Sequence, residues 1–316
     1  MNAVTTPKTL LEAARMFENQ DVAWQYAVNL RWPNGVTCPF CQGKAHSFLS
    51  TRKTWQCKTC NKQFSVKKGS IFEDSPLKLD IWLTAMWLIA NAKNGISSYE
   101  IHRALGITQK SAWFVLHRIR LAMQNGSMEK FCDDVEVDET YIGGKARNMH
   151  KAVKEQRITG TGGKDKSIVF GMIERGGDVK TQVVARSSKR TLQSLIAEAV
   201  LPGSRVYSDA LKSYDGLTMH YQHQVIDHAK SYVDGQVHTN TMENYWSLLK
   251  RTLKGTYVSV EPFHLHRYLD EQAFRFNERK GTDGTRFDLA VSQIGGKRLT
   301  YKRLTGKEGL SAVYGG

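Results

Sequence analysis

The chain has 316 residues, 41% of them hydrophobic, enough for one large domain or several small ones with a real core. Its 45 Lys and Arg outweigh 30 Asp and Glu, and the resulting formal charge of +15 favours polyanionic partners, nucleic acid first among them. The richest apolar run, residues 81–90, is too short to span a bilayer, and the amino terminus lacks the order of a secretion signal, which argues against a membrane role and predicts a cytoplasmic location.

Residues 1–30 read as a helical lead-in, with Leu10, Leu11, Ala14, Phe17, Trp24, Tyr26 and Ala27 at a loose helical period. A small module follows over residues 31–68, opened by the Pro33-Asn34-Gly35 turn. It holds two C-x-x-C knuckles, Cys38/Cys41 and Cys57/Cys60, with fifteen residues between them. Four thiolates at that spacing close a tetrahedron around one structural zinc ion and leave no open position for catalysis, so the module reads as a zinc ribbon. His46 stands by as an alternative ligand, and Cys132 is expected to be a small core residue. Arg52, Lys53, Trp55, Lys58, Lys62, Lys67 and Lys68 mix cations with an aromatic, as a DNA-facing ribbon or a solvated basic rim would.

Over residues 77–125 the pattern becomes helical, one long helix and then two shorter ones split at Leu105-Gly106-Ile107-Thr108. The shorter pair fits a helix-turn-helix, capped by Ser97 or Ser98 and by Thr108, whose second helix would offer Gln109, Lys110 and Ser111 to DNA. A plain helical hairpin is the alternative. After Asn125-Gly126 come β-type runs at 135–142, 167–174, 179–185, 205–208 and 224–228, with helices at 189–200, 241–254 and 261–278. This succession predicts a mixed α/β sheet domain over residues 130–285. Residues 145–166 form a basic excursion between its first two strands, and residues 286–316 read as a loosely held basic tail.

Three acids stand where such a sheet projects ligands. Asp138 lies in VEVDETYIGG, where alternation puts Asp134, Glu136 and Asp138 on one face and Val135 and Val137 on the other. Asp209 ends the run RVYS, and Glu243 sits on a helical stretch with Thr239 as its expected cap. Asn240, Glu243, Ser247 and Lys250 share one face of that helix, opposite Met242, Tyr245, Trp246 and Leu249.

The paired knuckles, VEVDETYIGGK, VYSDALKSYDGL and HTNTMENYWSLLKRTLKGTY occur in one order, and together they resemble insertion-sequence transposases, in the branch named for the insertion sequence numbered fifteen ninety-five. The resemblance runs from about residue 20 to about 285 and implies a multidomain α/β protein: zinc ribbon, helix-turn-helix region and ribonuclease-H-like catalytic domain. It implies a DDE triad of Asp138, Asp209 and Glu243, with Asn240 as the other candidate for the third position and Lys250 seven residues after Glu243. Asp134, Glu136, Glu139 and Asp215 would then be bystanders or lie behind the site.

The triad would hold Mg or Mn, two ions, in addition to the single zinc. Water and then a DNA 3′-hydroxyl would attack phosphodiesters, so that the ends of an insertion sequence are cleaved and joined to target DNA. Lys250 and Arg251 would hold the scissile phosphate, and Lys145, Arg147, Lys151 and Lys154 the flanking DNA. His238 would contact DNA or the active site, or else bond at the helix start. The partners implied are double-stranded DNA and a second copy of the chain in a synaptic complex, within a bacterial-type, nucleoid-associated cytoplasmic setting. Two other readings share the motifs: a catalytically inactive zinc-ribbon DNA-binding regulator, and a DDE nuclease or recombinase that mobilises nothing.

Overall fold

In the computed structural model, which describes residues 5–124, 129–143, 166–226 and 238–307, Asn19 breaks the amino-terminal helical stretch in two. It ends α1 (Leu10–Glu18) and caps α2 (Gln20–Arg31), its side chain accepting from the Asp21 and Val22 amides. Helix α2 is part of the ribbon's packing more than a lead-in to it. Trp24 on α2 stacks on Trp55 at 5.4 Å and meets Phe48 at 5.5 Å, while Trp32, just past the helix, sets its edge against Trp55 at 5.3 Å. Trp55 is buried in this cluster and does not face solvent or DNA. It sits on β2 (Thr54–Cys57), the middle strand of an antiparallel sheet with β1 (His46–Leu49) and β3 (Gln63–Ser65). Three short strands bury little by themselves, so the aromatic cluster and the cysteines must hold them.

Helix α3 (Leu79–Asn91) is apolar nearly all round, with Leu79, Trp82, Leu83, Ala85, Met86, Trp87, Ile89 and Ala90 buried, and forms the centre of this unit. Then come α4 (Ser98–Leu105) and α5 (Gln109–Ala122). Ser97 and Glu100 form a reciprocal capping box at α4, Gly106 ends it in the left-handed conformation, and Thr108 caps α5 by accepting from the Ser111 amide. Among the described residues no helix is long and apolar enough to cross a membrane.

A second compact unit spans Asn125–Asn277. Its five strands are β4 (Asp134–Ile142), β5 (Ser167–Glu174), β6 (Val179–Val184), β7 (Arg205–Asp209) and β8 (Gln222–Ile226), in the order β6-β5-β4-β7-β8. Strand β5 is antiparallel to both neighbours, while β4, β7 and β8 run parallel. Helix α6 (Lys189–Ala199) covers one face, where Val135, Val137, Phe170, Met172 and Val206 pack with Leu192 and Ile196. Helices α7 (Asn240–Arg251) and α8 (Leu265–Asn277) cover the other, where Val169, Ile173 and Val179 meet Met242, Tyr245, Trp246 and Leu249. The alternation of β5, with Phe170 and Met172 one way and Val169 and Ile173 the other, is the two-residue period of a strand buried on both faces.

The carboxy-terminal segment from Glu278 belongs to the first unit, so the sheet domain ends at Asn277 and not at 285. Nor are residues 286–307 a loose tail; residues 308–316, the rest of the expected tail, lie outside the described residues. Helix α9 (Asp283–Ser292) packs Phe287 against Phe17, Tyr26 and Trp87, and Ile294, Leu299 and the Leu304 of a single turn, α10 (Tyr301–Leu304), are buried beyond it. Its basic composition hides an apolar residue every few positions, and those are what fasten it.

Gly171 on β5 pairs with Asp138 on β4, on the face that α7 covers. A Cβ there would lie 2.2 Å from the Met242 methyl and 2.6 Å from the Trp246 ring, so only glycine lets α7 settle this close beside Asp138. Gly171→Val should lower stability by about 1–3 kcal/mol through overpacking. It should also shift Trp emission as Trp246 is displaced. Thermal unfolding followed by fluorescence checks both; an unchanged midpoint and spectrum would contradict the packing described.

Candidate active site and metal centre

The two knuckles share one backbone course. Gln42, after Cys41, and Asn61, after Cys60, both take the left-handed conformation, at φ 60° and 56°, which turns each pair of sulfurs toward the other. The four sulfurs lie within 4.8 Å of one another, with Cys38–Cys60 at 3.7 Å and Cys41–Cys57 at 3.6 Å. These separations are too long for disulfides. They match the edge of a tetrahedron with Zn–S bonds of about 2.3 Å, roughly 3.8 Å. The Cys60 and Thr59 amides point at the Cys57 sulfur and lower that thiol against the effect of burial, while the neighbouring thiols raise Cys41, so the four sulfurs share protons that a metal ion would displace. His46 is not a ligand; its Nε2 lies 3.2 Å from the Val36 carbonyl. Zinc therefore fits these four residues as a structural ion.

The residues expected to meet DNA separate into two sets. In the ribbon, Lys53 pairs with Asp21, Lys67 donates to the carbonyls of Ser75 and Leu77, and Lys68 pairs with Glu73, while Arg52, Lys58 and Lys62 stay exposed. On α5, Gln109 donates to Ser98 at 2.9 Å, and Ser111 accepts from the Thr108 hydroxyl at 2.9 Å. Both serve the joint between α4 and α5. Lys110 is exposed, with Nζ 4.9 Å above the Tyr301 ring. Lys145, Arg147, Lys151 and Lys154 lie outside the described residues.

In the sheet unit, Asp138 lies midway along β4 and Asp209 ends the neighbouring parallel strand β7. Asp138, half-buried on β4, accepts from Trp246 Nε1 at 2.9 Å. That bond fixes the rotation of α7 against the sheet. Glu243 lies three residues before Trp246 and Lys250 four after it, so both border Trp246 at the edge of the helix's polar face. Asp209, at the end of β7, accepts from the Leu211 amide at 3.1 Å. Burial raises the Asp138 carboxyl to about 6, and the charges of Asp209 and Glu243 push the same way, which marks all three as neighbours. Burial likewise raises Glu139 to about 7, with Asp209 and Asp138 adding to it. Asn240, Glu243 and Arg251 are exposed on α7 and Lys250 is half-buried. Among the described residues the four cysteines are the group whose ligand atoms already meet as an ion site; the acids approach without closing.

Glu136 is no bystander. It is fully buried on the Asp138 face of β4 and accepts from Arg175 Nε at 2.8 Å, Thr241 Oγ1 at 3.0 Å and the Met242 amide at 2.9 Å. The last bond caps α7 from the sheet, a carboxylate at the positive end of the helix. Thr239, the expected cap, makes no such bond. Arg175 Nη2 also donates to the His238 carbonyl at 2.8 Å, and His238 Nδ1 lies 3.3 Å from Glu136, so His238 bonds at the helix start. A buried acid two residues from a candidate ligand was the signal in the sequence, since such a group needs donors from a neighbouring element. Cys132 departs from expectation too: it is exposed, its amide and thiol both turned to Glu174.

Comparison with known proteins gives two family matches. Residues 130–277 match the ISXO2-like transposase domain, close to the bounds of the sheet unit, and residues 18–63 match a transposase zinc-ribbon domain that takes in α2. The chain is 25% identical over 252 residues to an uncharacterized protein in transposable element ISH50 of Halobacterium salinarum, covering 76% of this chain and 85% of that protein. It is 34% identical over 100 residues to an uncharacterized transposase-like protein of Haemophilus influenzae, covering 31% of this chain and 80% of that protein.

A carboxyl raised on folding holds protons that unfolding releases, so its contribution to stability is full below the free value of 3.8 and is lost as pH rises through about 6. In zinc-loaded protein free of Mg²⁺ and Mn²⁺, the unfolding midpoint should therefore fall between about pH 4 and about pH 7, and fall less in Asp138→Asn. Equal pH slopes in the two proteins would contradict the shift.

Proposed function

The chain belongs to the ISXO2-like transposase family, and from that membership we propose that it binds the ends of an insertion sequence and cleaves and joins DNA strands at Asp138, Asp209 and Glu243. The observation that supports this reading is the Trp246–Asp138 hydrogen bond, which seats α7, the helix that carries Glu243, against β4, the strand that carries Asp138 and runs parallel to the strand that ends in Asp209. The strand order β6-β5-β4-β7-β8, with β5 antiparallel, supports a ribonuclease-H-like domain. The capping box, the left-handed Gly106 and the Thr108 cap support a helix-turn-helix.

Three oxygen-donor carboxylates suit a hard divalent cation, Mg or Mn. Two such ions, when bound, supply activation of the attacking hydroxyl and charge for the leaving oxygen. Lys250 and Arg251, on the last turn of α7, grip the scissile phosphate. Glu136 and Arg175 keep α7 seated so that Glu243 does not drift from Asp138. Zinc holds the ribbon, whose exposed Arg52, Lys58 and Lys62 face duplex DNA, and joining two ends requires at least two copies of the chain.

One observation favours the silent-regulator reading: the acids do not already converge as an ion site. Activity separates the two. Purified protein incubated with Mg²⁺ and a supercoiled plasmid carrying its flanking ends should nick and join strands, and Asp138→Ala, Asp209→Ala or Glu243→Ala should each cost roughly 10²-fold or more. Asn240→Ala should cost far less if Glu243 is the third ligand. Cleavage that survives all three acid variants would contradict the site, and binding of the ends without cleavage would favour the regulator.

A further inference from the structure

The carboxy-terminal segment runs back along α5 as a strap. Lys297 Nζ donates to the Ala122 and Gln124 carbonyls, at 3.0 and 3.1 Å, where α5 ends. One turn back, Arg118 Nε donates to the Leu299 carbonyl at 3.0 Å. Another turn back, Tyr301 sets its ring edge-on to Phe114 at 5.6 Å, and beyond that it lies under Lys110 at 4.9 Å. Steps forward through 297, 299 and 301 thus match steps backward through 122, 118, 114 and 110.

The strap delivers α10 beside the first turn of α5. Thr300 caps this single turn by accepting from the Arg303 amide at 3.1 Å, and Leu304 is fully buried, so its place is built and not incidental. Tyr301, Lys302 and Arg303 are exposed on it, and neither α10 nor the first turn of α5 carries an acid. Gln109 and Ser111 are spent on the α4–α5 joint, which leaves Lys110 as the α5 cation at that end.

We propose that Lys302 and Arg303, with Lys110, form a surface that grips the phosphates of duplex DNA next to the helix-turn-helix; the proposal rests on the DNA-binding reading above. Phosphates are favoured over unpaired bases because the aromatic that α10 offers, Tyr301, is already engaged by Lys110 and Phe114, while Lys302 and Arg303 carry charge into solvent. Cations that meet phosphates add affinity and register but no base preference.

The test is fluorescence anisotropy with the full-length, zinc-loaded protein on two duplexes, one carrying the element's end and one of random sequence, over a range of salt. Lys302→Ala/Arg303→Ala should weaken binding to both duplexes roughly tenfold near 0.1 M salt and make the slope of log K against log salt shallower by about 2. A charge-matched control at the amino-terminal end, Lys8→Ala/Arg15→Ala, with Lys8 just before α1 and Arg15 on it, should leave the slope near wild type, as should the charge-keeping Lys302→Arg/Arg303→Lys. Zinc content and circular dichroism establish that each variant is folded. A wild-type slope in Lys302→Ala/Arg303→Ala, while the wild type binds, would overturn the surface alone. Failure of the wild-type protein to bind either duplex would overturn it together with the DNA-binding reading.

Discussion

Glu136 has no exposure to water, and a carboxylate so placed stays only if donors surround it. Its donors come from two elements that do not otherwise need to meet. Arg175 stands at the turn between β5 and β6; Thr241 and the Met242 amide open α7. One acid on the central strand therefore ties the sheet to the start of the helix that completes the site. From that anchor the rest of α7 follows: Met242, Tyr245, Trp246 and Leu249 enter the core, Gly171 leaves room for the closest of them, and Trp246 reaches Asp138. Glu243 and Lys250 then lie on either side of Trp246 along α7, three residues before it and four after.

The first unit reaches definition by a different route. Its ribbon has too little strand to stand alone, and two devices compensate: four thiols placed for a tetrahedral ion, and an aromatic cluster in which α2 contributes Trp24. Cations that look like a DNA-facing set in the sequence are partly consumed here. Lys67 and Lys68 hold backbone carbonyls and Glu73, and Lys53 meets Asp21. Of this unit's cations proposed to meet DNA, those that stay exposed are Arg52, Lys58 and Lys62 on the ribbon, Lys110 on α5 and the α10 pair on the strap.

Much of this was legible in the sequence where a short-range rule governs. Alternation located β4 and β5 to within a residue, and paired C-x-x-C knuckles located the metal centre, because pleat and chelation depend on near neighbours. The edge strand β8 lies at Gln222–Ile226, two residues earlier than its apolar run suggests, since pairing with β7 sets its register and its own side chains are mostly exposed. The acids proposed for the site come from their motifs. What supports them could not be read there. Nothing local says that Glu136 caps a helix more than a hundred residues later, or that Gly171 is small for the sake of Trp246. The strap was missed because average composition, basic and glycine-rich, outweighed the sparse apolar residues at 287, 294, 299 and 304 that bind it down.

The central claim is that α7 is held so that Glu243 completes a carboxylate site with Asp138 and Asp209. Anomalous diffraction from crystals of the protein soaked in Mn²⁺ tests it most directly. The account predicts a manganese peak bounded by Asp138 and Asp209, with Glu243 the third protein ligand drawn in from α7. Manganese absent from these carboxylates at saturating concentration, or held without Glu243, would contradict it.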